Sequence, residues 1–139
     1  MIEKVQESHL YMWLKEKDSK FLSKLDETIE YANTILPQIN NVFASYTVHG
    51  VRHSINVMEY MYALVVDINK LSELEVALLI YSALLHDIGM IANVDEIKEI
   101  KADHAILGER KYSKVLEKYG DEMTALQECV RPVHGKRAR

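Results

Sequence analysis

A chain of 139 residues has room for one real hydrophobic core and not for two comfortable ones, and its 48% apolar and 27% charged residues belong to a folded protein, not a disordered one. The net charge of −4 argues against a surface that coats nucleic acid generally, and the single cysteine, Cys129, excludes an internal disulfide framework. No apolar run reaches the roughly eighteen residues of a membrane span. MIEKVQESHL also lacks the basic-then-apolar layout of a signal peptide, so the expected location is cytoplasmic.

Helix signals dominate the chain and strand signals are nearly absent. Val5, Leu10, Met12, Trp13 and Leu14 point to a helix from about Ile2 to Lys15. Asp18 or Ser19 is the expected cap of a second, carrying Phe21, Leu22, Leu25, Ile29, Ala32, Ile35 and Leu36, with Pro37 ending or kinking it. A third begins near Gly50, with Ile55, Met58, Tyr62 and Val65 on one side. Ser72-x-x-Glu75 is a capping-box pattern, and the apolar VALLIYSALLH behind it reads as a helix buried all round. Asp103 is placed as the cap of a helix through Ile106, Tyr112, Val115 and Leu116 that closes near Gly120. Asp121 opens the last, through Leu126 and Val130, with Cys129 as a small core residue. The expectation is an all-α single compact bundle of about five to seven helices spanning 1–139, with N-terminal helices over 1–45 and a motif-bearing core over 46–135.

Chemistry concentrates at histidines. In YTVHGVRH, His49 and His53 stand four apart, on one face of a helix. In SALLHDIGMI, His86 and Asp87 follow an apolar run directly, where charge is costly to hide. An isolated pair of this kind serves as a helix-end cap. Joined by His53 upstream and by His104 and His134 downstream, it becomes part of four imidazoles and one carboxylate drawn from four helical segments, a set that a bundle can project inward to bind metal.

With those residues in view, the chain resembles the HD superfamily of metal-dependent phosphohydrolases. The likeness is carried by His53 in HSINV, the doublet in LLHDIGM, and DHAILGERKY, similar to the segment holding an additional histidine in two-metal members. It covers roughly residues 45 to 135. YTVHGVRH also looks like the opening of HD domains that accompany ATPase or signalling modules in longer bacterial proteins, so further domains of a longer chain are possible partners. The resemblance implies an all-helical fold in which His53, His86 and Asp87 hold a metal, with His104 and His134 as added ligands. Family members place a closing Asp after these histidines, whereas this chain has no acid beyond Glu128. Either Asp121 or another earlier acid substitutes, or the closing ligand lies downstream in a longer protein. No Gly-Tyr-Pro follows the last His, so the cyclic-dinucleotide-degrading subgroup is unsupported.

A histidine-rich set favours one or two ions of Fe, Mn, Co, Ni or Zn over Mg alone. The implied chemistry is hydrolysis of a phosphoester of a nucleotide or nucleic acid through a metal-activated water, with Asp87 bridging and His49 and Arg52 near enough to meet a substrate phosphate. The alternative is a catalytically incomplete HD domain with a regulatory or structural metal, or a helical interaction module. Tyr60, Tyr62 and Tyr81 read as core packing, His9 as exposed, and the basic RPVHGKRAR as a solvated tail.

Overall fold

The computed structural model describes residues 2–44, 50–104 and 110–138. Among them the regular structure is helical throughout. In chain order the helices are α1 (Ile2–Gln6), α2 (His9–Glu16), α3 (Leu22–Ile35), α4 (Asn40–Phe43), α5 (Val51–Leu64), α6 (Glu73–Leu85), α7 (Val94–Lys101), α8 (Tyr112–Tyr119), α9 (Glu122–Val130) and α10 (His134–Arg137), with short 3-10 turns at Leu36–Ile39, Ile68–Lys70, Ile88–Met90 and Arg131–Val133. The all-α expectation holds, with the longer expected helices divided into shorter ones. Two compact units emerge, Met1–Leu36 with His49–His86 and Pro37–Val48 with Asp87–Arg139.

In the first unit, α6 packs against α2, α3 and α5. The expected first helix breaks because the Ser8 hydroxyl donates to the Val5 carbonyl at 2.7 Å, taking an acceptor that a continuing helix would use. Tyr11 on α2 donates to Asp26 on α3 at 2.7 Å, and burial together with that carboxylate pushes its phenol up to about 12. Ser19 accepts from the Phe21 N–H at 3.4 Å instead of capping α3, whose N-cap Phe21 has no side-chain bond. The Leu36–Ile39 turn takes over where α3 ends, with Pro37 unable to donate to a fourth-residue carbonyl. Ser72 and Glu75 form the full capping box of α6. Val76, Ala77, Ile80, Ala83 and Leu84 of α6 are buried, but Leu74 and Leu78 are each 52% exposed, so this helix is buried on one side and not all round. Tyr60 is 72% exposed, which corrects its assignment to the core, while Tyr62 stacks on His9 with centroids 4.6 Å apart.

In the second unit, α8 and α9 pack together, α7 rests on both, and α4 lies on α9, where Gln127 donates to the Val42 carbonyl at 2.9 Å. Gly120, at φ +70, turns the chain out of α8 in the left-handed conformation that costs glycine little. Asp121 then caps α9 by accepting from the Thr124 N–H at 2.7 Å. Ile106 lies outside the described residues. Asp103 is not the N-cap of α8, which begins at Tyr112 after Lys111; its carboxylate instead accepts from the Ser113 N–H at 3.1 Å, from ten residues away in the chain. The α7 helix was not anticipated; Asn93 caps it by accepting from the Glu96 N–H at 2.8 Å. Cys129 is buried, and burial pushes its thiol up, as suits an inert core residue.

Candidate metal centre

His53 sits in the first turn of α5, where its N–H donates to the carbonyl of Gly50, the N-cap. Val51, Ser54 and Met58, one stripe of that helix, are buried and fix its rotation, leaving His53 half-buried beside the stripe. His86 is the C-cap of α6, with its N–H on the Ser82 carbonyl at 3.0 Å. Since α5 and α6 pack together, with the start of one meeting the end of the other, the two imidazoles face each other across the pair.

Their Nε2 atoms are 3.2 Å apart and their ring planes are tilted by 46°. The other nitrogen of His86, Nδ1, lies 3.0 Å from the Ala83 carbonyl oxygen. A carbonyl only accepts, so Nδ1 carries the proton and Nε2 presents its lone pair, the arrangement by which a backbone carbonyl orients a metal-binding histidine. Two nitrogens each about 2.05 Å from one ion are separated by about 2.9 Å at a right angle and about 3.3 Å at the tetrahedral angle. The observed spacing, which is also that of a hydrogen bond between the rings, falls between those values and so matches the ligand spacing of a transition-metal ion.

Asp87 is joined to His86 by the peptide bond and is 8% exposed. One ligand atom from each of His53, His86 and Asp87 lies within 4.8 Å of the others. A buried carboxylate beside two imidazoles is costly unless a cation or hydrogen bonds compensate it, and two nitrogens with one oxygen suit a borderline metal.

The turn that follows the doublet explains its glycine. A Cβ on Gly89 would come within 1.9 Å of the His134 carbonyl oxygen, so only glycine admits the close approach of α10. The basic terminus is therefore not a loose tail. Arg137, half-buried, donates from Nε to the Gly89 carbonyl at 2.8 Å and from Nη2 to the Ile91 carbonyl at 2.7 Å, and its Nη1 pairs with the Glu96 carboxylate. One guanidinium thus ties α10 to the turn after Asp87 and to α7. Nothing in the spacing of RPVHGKRAR singled out Arg137, although the five donors of a planar guanidinium can reach separated acceptors at once.

The remaining expected site residues are placed as follows. His134 is half-buried, with Nδ1 2.6 Å from the Arg131 carbonyl, so its lone pair too is on Nε2. His104 is exposed and its Nδ1 lies 3.3 Å from Glu99. Arg52 is exposed, one residue before His53. His49 lies outside the described residues. Asp121, weighed as a substitute closing ligand, is engaged in its cap, and those bonds from Thr124 hold its carboxyl below the usual value.

A family model described as HD-CE matches residues 43–139. No curated protein and no solved structure matches the chain.

Proposed function

The chain belongs to the HD-CE family, and from that premise we propose that it is a metal-dependent phosphohydrolase acting on a phosphoester of a nucleotide or nucleic acid. The observation that carries this reading is the 3.2 Å pairing of the His53 and His86 Nε2 atoms beside the buried Asp87. A bound divalent ion at such a centre supplies an activated water and neutralises charge on phosphate oxygens.

The protein's own residues divide the remaining work. His53 and His86 offer lone pairs from two packed helices, so ligand geometry is set by helix packing and not by a loop. Asp87 adds an oxygen donor and the negative charge that draws a cation into a partly buried place. The Ala83 carbonyl holds the His86 ring in its donor tautomer. Arg52, exposed at the start of α5, is the proposed contact for a substrate phosphate, in company with His49. His134, whose Nδ1 is occupied by the Arg131 carbonyl, and His104 are the proposed ligands of a second ion.

The test is hydrolysis of a generic phosphodiester, bis-p-nitrophenyl phosphate, and of nucleotide substrates by metal-loaded protein, beside the Asp87→Ala and His53→Ala variants. Metal-dependent product release that both variants lose supports the reading; full activity in either variant contradicts it. A second reading is a regulatory or structural metal without turnover, for which the His53, His86 and Asp87 cluster would serve equally. It would be chosen by retained metal with no product from any phosphoester.

A further inference from the structure

Away from the histidines, one cleft of about 470 Å³ is lined by Arg110, Lys111, Lys114, Val115, Lys118 and Tyr119. Its walls carry four cations in a chain whose net charge is −4, so the basic charge is concentrated locally. Among the described residues three carboxylates face this set: Glu128 holds Arg110 at 2.9 Å, Glu117 holds Lys114 at 3.2 Å, and Asp103 stands in the field of Lys111. The Lys114–Glu117 pair is exposed on both sides, so it is screened by water and readily exchanged for another anion. Arg110 also donates to the Glu128 carbonyl, which makes it a fixed wall. Lys118 rests over the Tyr119 ring, 4.9 Å from its centroid, and Tyr119 is 43% exposed.

We infer that this face of α8 binds the backbone of single-stranded nucleic acid, with phosphates on Lys111, Lys114 and Lys118 and a base on Tyr119. Lys111, Lys114 and Lys118 recur at helical spacing over about 10 Å of helix, which is about two phosphate-to-phosphate steps of an extended strand, so three lysines meet about three phosphates. A base stacks on an exposed tyrosine more strongly than a solvated ammonium does, so a bound base displaces Lys118 toward a phosphate. Val115 supplies an apolar floor between the charged walls, as a groove for a chain of alternating phosphates and flat bases requires. A small free anion would use the cations but not the ring, and duplex DNA has no unstacked base to offer it. The inference rests on the cleft alone and does not draw on the metal centre.

Fluorescence anisotropy with a fluorescein-labelled single strand of roughly ten nucleotides, RNA and DNA in turn, tests it. At about 50 mM salt the expected result is saturable binding whose logarithm falls against log salt with a slope of about −2, as three lysine–phosphate contacts require. Lys111→Glu with Lys118→Glu should weaken binding at least about tenfold and flatten that slope, while Tyr119→Ala weakens it with the slope unchanged. The three substituted side chains lie at the surface of the cleft, and circular dichroism establishes that the variants fold. Absence of saturable binding, or binding untouched by the charge reversal, overturns the inference. So does a preference for duplex over single strand, or for phosphatidylserine vesicles over either.

Discussion

At the scale of single residues, the close approach at Gly89 is the most exacting contact near the doublet. Gly89→Ala places a methyl group against a backbone carbonyl, which cannot rotate away as a flexible side chain would. A destabilisation of about 1–3 kcal/mol is expected, read by urea unfolding. Arg137→Ala removes three hydrogen bonds at once and leaves the Glu96 carboxylate without its cation. Amide exchange in residues 134–138 is expected to accelerate, with a local loss of about 2–3 kcal/mol, whereas Arg137→Lys restores only part because one ammonium cannot reach both carbonyls and the carboxylate. His53, His86 and Asp87 were legible because their types and order are unusual at the edges of apolar helices. Arg137 was not, since its partners are backbone carbonyls that leave no mark on composition. Nor was the exposure of Tyr60, which follows from the exact rotation of α5.

At the scale of helices, caps decide the boundaries. Ser72→Ala is expected to cost about 1 kcal/mol by removing one half of the capping box. Glu75, Asp103 and Asp121 each have a carboxyl held below its ordinary value, mainly by the hydrogen bonds from Ser72, Ser113 and Thr124. A carboxyl depressed in the folded state contributes stability that is present above its unfolded value and is lost as pH falls through the folded value. Helicity followed by circular dichroism should therefore decline below about pH 4, and Asp103→Asn with Asp121→Asn should blunt that decline. The box at Ser72, the Gly120 stop and the Asp121 start could all be read from the sequence because each is a local hydrogen-bond pattern. The start of α8 could not, as Asp103 reaches it across an intervening segment. The α7 helix was missed although Asn93-x-x-Glu96, early acids and the late lysines Lys98 and Lys101 are the same kind of signal. Its apolar content is low, so hydrophobic periodicity gives little signal there.

At the scale of the whole chain, no described helix is long and apolar enough to cross a membrane, and the folded units are built from short helices. A ligand that binds the folded state alone stabilises it by mass action. Manganese, cobalt or zinc at about a hundred times its dissociation constant is expected to add about 2.7 kcal/mol, seen as a raised melting temperature that a chelator reverses and that the Asp87→Ala variant lacks. The all-α class was readable because periodicity and the scarcity of strand signals agree along the whole sequence. Whether distant histidines converge is a tertiary property, which is why His53 and His86 had to be seen paired before their spacing could be compared with that of a metal.

The central claim is tested most directly by elemental analysis of purified protein, expressed with mixed transition metals and dialysed, beside the Asp87→Ala and His53→Ala variants, with circular dichroism establishing that all three fold. The native chain is expected to retain at least one Fe, Mn, Co, Ni or Zn ion, and both variants to lose it. A native chain without metal, or folded variants that retain the full complement, would contradict the assignment of His53, His86 and Asp87 as a metal centre.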